Sequence, residues 1–135
     1  MPAQTKSVTL WILRILAAII MLQTLFYKFS GADESIYIFS KLGIEPWGRI
    51  GTGIGELIAS VLILIPATTV FGAVLGMGLM SGAIFFHLTK LGIVVKDDSG
   101  QLFIYASLVF VSCTILAWVG RRQLFLLFQK QKPGW

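Results

Sequence analysis

The sequence predicts an all-α membrane protein, a four-helix transmembrane bundle with a short interfacial helix between spans 1 and 2. The chain has 135 residues, of which 56% are hydrophobic and 13% charged, and its mean hydropathy is +0.85. This is far more apolar than the composition of a globular protein in water. The apolar residues fall into four runs, each close to the roughly 20 residues that a helix needs to cross a bilayer. We therefore expect one membrane domain over residues 1–135 and no soluble catalytic domain.

Span 1 is predicted over residues 8–29. Arg14 and Gln23 interrupt its apolar run, and Lys28 closes it. An arginine inside the run, with no small-x-small cleavage site after it, argues against a cleaved signal peptide. We expect a retained first helix.

A short amphipathic segment follows at residues 33–43. Asp33 and Glu34 are typical of a helix start, and Ile36 and Phe39 share one helical face. About two turns cannot cross a bilayer, so this segment is predicted to lie in the interface with its apolar face towards the lipid.

Spans 2 and 3 are predicted over residues 48–65 and 70–91. The turn at Pro66 is so short that the two helices must be antiparallel neighbours. Small residues four apart allow two helix backbones to approach closely in lipid. Both spans carry such residues, which are Gly51, Gly55, Ala59, Gly72, Gly76, Gly78 and Gly82.

Span 4 is predicted over residues 102–119, and a basic amphipathic tail follows over residues 121–135. The tail is either an extension of span 4 or a helix on the membrane surface. The formal charge of +5 is scattered and forms no polar basic stripe, so the bilayer with its anionic headgroups is the expected partner rather than nucleic acid. Cys113 is the only cysteine, which excludes an intramolecular disulfide and a Cys-x-x-Cys motif.

The positive charges do not decide the orientation. Five Lys or Arg residues lie on each side of the predicted bundle. Asp33, Glu34, Glu45, Asp97 and Asp98 all fall on the side away from the termini. On that basis both termini are predicted to be cytoplasmic.

Polar residues from all four spans converge on one half of the bundle. Counted from the side of the long connections at 1.5 Å per residue, Glu56 lies roughly 12 Å deep, Gln23 roughly 9 Å and His87 roughly 6 Å. An ionised group facing lipid there is costly, so Glu56 should face inward and be paired or protonated. Its candidate partners are Lys28, His87 and Arg14, although Arg14 can also snorkel towards the terminal side. The predicted ligand-binding set is Arg14, Gln23, Lys28, Glu56, His87 and Tyr105.

The same polar residues have one further interpretation. They can serve only to fix helix register and pairing, with no ligand at all. A metal site is not predicted, because His87 is the only histidine and a protein zinc site needs three or four ligands.

A series of short motifs resembles the DoxX family of small bacterial membrane proteins. The motifs are an arginine early in span 1, "LFYKFSG" at its exit, "FSKLGIEP" in the interfacial helix, "GxxEL" in span 2 and "GAIFFHLTKLG" at the end of span 3. The resemblance implies a four-helix bundle in the bacterial inner (cell) membrane. It also implies that the polar positions of the family fall on Arg14, Lys28, Glu56 and His87.

The resemblance further implies a redox-associated function, since the family includes a subunit linked to thiosulfate:quinone oxidoreduction, members linked to oxidative stress and thiol-redox complexes, and receptor-assembly chaperones in animals. The first prediction is a subunit of a quinone-dependent oxidoreductase with a partner membrane or redox protein and quinone as cofactor. Its catalytic candidates are Glu56 and His87. The second is a non-catalytic scaffold or assembly factor, and the third is a small-solute carrier. Substrate and oligomeric state, including a homo-oligomer, stay open.

Overall fold

The computed structural model describes residues 3–94 and 100–131, with side chains over residues 7–94 and 100–126. The middle of the connection after span 3 and the end of the tail, including Lys96, Asp97, Asp98 and Lys132, therefore lie outside the described residues. The described chain consists of helices α1 (Ala3–Ser30), α2 (Asp33–Lys41), α3 (Trp47–Leu64), α4 (Thr69–Phe86), α5 (Gln101–Val119) and α6 (Arg121–Gln131). A 3₁₀ turn, Pro66–Thr68, precedes α4, and a π-helical turn, His87–Leu91, follows it.

The predicted fold class is confirmed. Within residues 3–94 and 100–131 there is no strand, and four helices are long and apolar enough to cross a membrane. Those four candidate spans are Ser7–Ser30, Trp47–Leu64, Pro66–Leu91 and Gln101–Val119. Helix α2 has nine residues, about 14 Å at 1.5 Å per residue, and is too short to be a fifth span.

The four long helices form a ring in which each packs against two neighbours. Helix α1 packs against α3 and α5, and α4 packs against the same two helices from the opposite corner. Fully buried small and medium side chains fill the centre, among them Ala17, Ala59, Ile63, Ala73, Val109 and Cys113. Large apolar side chains such as Ile19, Phe26 and Leu88 are more than half exposed on the outside. Such an outer surface fits contact with lipid tails rather than water.

The bundle has two different ends. The cavity end holds the end of α1, the start of α3, the π-helical turn, the start of α5 and, packed across them, α2. The terminal end holds the start of α1, the turn between α3 and α4, the end of α5 and α6. A turn at Gly120 separates α6 from α5, and the side-chain amide of Gln123 donates to the carbonyl of Ala67 at 2.6 Å. Helix α6 is thus a separate element that packs on the α3–α4 turn and does not continue α5.

Only some of the small residues in spans 2 and 3 lie at the close helix contact. A Cβ added to Gly72 would lie 2.7 Å from the carbonyl oxygen of Ala59 and 2.7 Å from the amide nitrogen of Ile63, so only glycine fits there. Added atoms at Gly51, Gly78 and Gly82 would meet nothing within 4 Å. The predicted close packing of α3 and α4 is therefore concentrated at Gly72, where backbone meets backbone.

This contrast predicts opposite effects for two substitutions in the same helix. Gly72→Ala should destabilise the protein by about 1 to 3 kcal/mol, because a methyl group there pushes α4 away from the α3 backbone. Gly78→Ala should be neutral or stabilising by up to about 1 kcal/mol, because it restricts the unfolded chain and meets open space. Thermal unfolding of both variants in one detergent measures the difference. Equal unfolding temperatures would contradict the assigned contact.

Candidate functional site

A cavity of about 480 Å³ opens between α1, α2, α3, α4 and α5 at the cavity end. Much of its wall is apolar, with side chains such as Ile20, Met21, Phe39 and Val109. Gly78 and Gly82 also line the cavity, and because glycine has no side chain, part of the cavity volume stays open beside them. Polar groups on the wall are Gln23, Thr24, Lys28, Glu34, Ser35, Thr52, Glu56, His87, Gln101 and Tyr105.

An ion pair between α1 and α3 forms one wall of this cavity. The Lys28 ammonium lies 3.0 Å from Oε1 and 2.9 Å from Oε2 of Glu56, and its third contact is the Thr24 hydroxyl oxygen at 3.2 Å. Glu56 is only 4% exposed. A buried carboxylate is tolerated only when it is paired and hydrogen-bonded. Both requirements are met here within the protein.

Helical spacing brings the parts of this pair together. Thr24 and Lys28 are four residues apart and therefore lie on one face of α1. The Thr24 hydroxyl lies 3.0 Å from Oε2 of Glu56 and 2.8 Å from the carbonyl of Met21. Its single proton can serve one of these two acceptors at a time. Thr24 thus couples the carboxylate to the backbone of α1.

A second ion pair fixes the backbone at Lys28. The Arg49 side chain donates from Nε to both carboxylate oxygens of Glu45, at 2.9 and 3.1 Å, and from Nη1 to the carbonyl of Lys28. Arg49 and Glu45 are four residues apart at the start of α3. This contact holds the end of α1 against α3 and so restricts where the Lys28 ammonium can lie.

His87 lies in the π-helical turn that ends α4, and it is 5% exposed. Its Nδ1 is 2.9 Å from the carbonyl oxygen of Gly92, a residue with φ of +79° that suits glycine. Because a carbonyl can only accept, Nδ1 carries a proton and donates to Gly92, and Nε2 is the ring nitrogen that remains for other partners. The ring packs edge-on against Phe103 with centroids 5.7 Å apart.

The hydrogen bond predicted between His87 and Glu56 is not seen among the described residues. The carboxylate oxygens of Glu56 are bonded to Lys28 and Thr24, and Nδ1 of His87 is bonded to Gly92. His87 and Glu56 line the same cavity without bonding to each other. Of the three candidate partners of Glu56, the structure selects Lys28.

Five of the six predicted ligand-binding residues line the cavity, and Arg14 does not. Arg14 lines a separate cavity of about 80 Å³ at the terminal end, beside Thr69 and Gln123. Arg14 precedes Thr24, which bonds to Glu56, by ten residues, or about 15 Å along α1. Arg14 therefore lies at the terminal end, away from Glu56.

Several polar residues of the cavity were missed by sequence reasoning. The amide Nε2 of Gln101 donates to the Tyr105 hydroxyl at 2.7 Å, one helical turn away on α5. Thr24 lies four residues before Lys28, and Thr52 lies four residues before Glu56. A search for uncharged polar residues four positions before each candidate site residue finds all three, which are Thr24, Thr52 and Gln101. Glu34 and Ser35 of α2 carry no such signal.

No metal-binding group is present in the part of the chain that the structure describes, since His, Cys, Asp and Glu side chains do not gather there in threes. The cavity instead combines an apolar wall with a few polar atoms of different type. Such a lining is typical of sites for small organic molecules.

Comparison with known proteins agrees with this architecture. The DoxX family model matches residues 9–89, which is more than half of the chain and includes α1 through most of the π-helical turn. An uncharacterized protein of Bacillus subtilis (strain 168), YwoB, is 33% identical over 79 residues. That alignment covers 58% of this chain but 46% of YwoB, so the chain matches about half of its relative. No solved structure matches the chain. On the strength of the family match, this chain belongs to the DoxX family.

Proposed function

We propose that the cavity binds a small amphipathic molecule of the quinone class that enters from the bilayer, and that the chain is a redox-associated subunit of the bacterial inner membrane with both termini in the cytoplasm. The observation that carries this proposal is the cavity of about 480 Å³ at the cavity end. Sites for small organic ligands commonly have about 300 to 1,000 Å³ and few polar groups on apolar walls.

The polar atoms of the cavity suit the two oxygens of a quinone or quinol. Nε2 of His87 can accept a hydrogen bond from a quinol hydroxyl, and the Tyr105 hydroxyl, which accepts from Gln101, can donate its own proton to a quinone carbonyl. Glu56 would exchange a proton with the ligand, with Lys28 stabilising the carboxylate that results. Two protons and two electrons convert quinone to quinol, and in this proposal a partner redox protein exchanges the electrons.

The scaffold function is supported by a different observation. The Lys28 ammonium bonds to both carboxylate oxygens of Glu56 and to the Thr24 hydroxyl, so both charges of the ion pair have partners within the protein. In addition, α2 exposes Ile36 and Tyr37, which a partner protein could cover. In a scaffold the ion pair would only hold α1 and α3 in register.

A substitution that fills the cavity tests ligand binding without touching the ion pair. Gly82→Leu places a side chain on the cavity wall, so the affinity for a short-chain ubiquinone analogue should fall by about tenfold or more, equivalent to about 1.4 kcal/mol. Gly51→Leu adds the same group where nothing lies within 4 Å and away from the cavity, so affinity should not change. Isothermal titration calorimetry on the full chain in nanodiscs measures both. Similar affinities for wild type and Gly82→Leu would reject the cavity as the quinone site.

A double-mutant cycle on the ion pair separates its structural role from a role in ligand binding. Lys28→Met and Glu56→Leu should each lower stability, by about 3 to 5 kcal/mol where a charge stays buried without its partner. The double variant Lys28→Met/Glu56→Leu should recover most of that stability, because neither charge remains. Asp33→Asn, a charge removed at an exposed site of α2, is the control and should change little.

Quinone binding by the stable double variant then decides between the two functions. Under the redox proposal its quinone-dependent activity with the partner protein is lost, although the fold is intact. If ligand affinity and activity both equal those of the wild type, the pair is only structural and the proton role of Glu56 is wrong.

A further inference from the structure

Arg14 lies at a second site, a cavity of about 80 Å³ at the terminal end. The cavity is bounded by α1, by the turn between α3 and α4, and by the joint between α5 and α6. Thr69, Gly120 and Gln123 line it together with Arg14. None of these residues belongs to the quinone cavity, so this site is independent of the function proposed above.

One nitrogen of the Arg14 guanidinium lacks an acceptor in the part of the chain that the structure describes. Its Nε is buried and has no hydrogen-bond partner, and its one recorded contact is with the Trp11 ring, 4.7 Å from the ring centroid. A buried charged donor without an acceptor is costly. An acceptor supplied from outside the described chain would remove that cost.

No Asp or Glu side chain is available to Arg14 at this end of the protein. The sequence has no Asp or Glu in residues 1–32, 57–96 or 99–135. The hydroxyl of Thr69 bonds to the carbonyls of Ile63 and Ile65, and the amide nitrogen of Gln123 bonds to Ala67. The cavity therefore combines an unbonded guanidinium nitrogen with an end of the bundle where all the charged side chains that the structure describes are positive.

The cavity lies at the level where lipid headgroups begin. Helix α3 ends at Leu64, α4 begins at Thr69 and α5 ends at Val119, all around this cavity. The exposed rings of Trp11 and Trp118 lie at the same end, and the Arg121 guanidinium lies 4.1 Å from the Trp118 ring centroid. Tryptophan is enriched at the membrane–water interface, which agrees with this level.

We propose that Arg14 binds the phosphate of an anionic phospholipid headgroup in this cavity. A guanidinium is a planar fork that can bond two phosphate oxygens at once, which a surface lysine cannot do. The exposed Arg121 and Arg122 on α6 add attraction for a net negative headgroup. The phosphate anchors the start of α1 to the α5–α6 joint.

Native mass spectrometry of the purified full chain tests this site. The protein is exchanged into detergent with phosphatidylglycerol or phosphatidylcholine in about 0.5 M salt, where the Debye length is about 4 Å and exposed charges are screened. The wild type should retain phosphatidylglycerol in preference to phosphatidylcholine. Arg14→Gln should lower the retained fraction about tenfold, whereas Arg122→Gln, the same loss of charge at an exposed position, should lower it less than about twofold.

Two further comparisons complete the test, one with lysine variants and one with inorganic phosphate. If Arg14→Gln does not fold, Arg14→Lys is compared with Arg122→Lys, and only the former should lose lipid because a lysine cannot form the bidentate contact. Equal retention in either matched pair, or equal retention of phosphatidylcholine, would overturn the site. Displacement of phosphatidylglycerol by inorganic phosphate at equal ionic strength would show that the cavity takes free phosphate and would overturn the assignment to lipid.

Discussion

A carboxylate inside an apolar bundle needs a cation within reach, and at the cavity end Lys28 meets that need for Glu56. The distances of 2.9 and 3.0 Å fix the register of α1 against α3. Arg49 extends this constraint, because it binds the carbonyl of Lys28 and the carboxylate of Glu45 together. The end of α1 and the start of α3 thus behave as one unit, and the cavity wall on that side takes its position from them.

Glycine has opposite effects on packing at the two ends of the bundle. At Gly72 the absence of a side chain lets the backbones of α3 and α4 touch, and the neighbouring core is filled by Ala59, Ile63 and Ala73. At Gly82 the absence of a side chain leaves space that no neighbour fills. Close packing towards the terminal end supplies the rigidity that allows the cavity end to stay open.

Much of this arrangement could be predicted from the sequence, since the bilayer restricts the possible folds. Four apolar runs allow only four spans, and short connections force alternating directions, so counting depth brought Gln23, Lys28, Glu56, His87 and Tyr105 to one end. Arg14 lies outside this group because ten residues of α1, or about 15 Å, separate it from Thr24 beside Glu56.

The partner of His87 could not be predicted for a different reason. The π-helical turn His87–Leu91 inserts one residue into the helical repeat, and a period of 3.6 residues gives no sign of it. The turn directs Nδ1 to Gly92 and leaves Nε2 as the ring atom that remains for other partners. Hydrophobic patterning fixes which end of the bundle a residue occupies, but individual hydrogen bonds depend on local backbone geometry that the pattern does not contain.

The ion pair between Lys28 and Glu56 restricts which groups of the protein can hold a ligand in the cavity. Lys28 is already bonded to both oxygens of Glu56 and to Thr24, so a ligand oxygen that approached the ammonium would have to exchange or compete with these acceptors. His87 and Tyr105 need no such exchange, because each has hydrogen-bonding capacity that the described residues do not use. Under the quinone proposal the ligand is therefore held first from α4 and α5. In that proposal the pair on α1 and α3 would enter only when a proton moves, since a neutral carboxyl holds an ammonium less strongly than a carboxylate does.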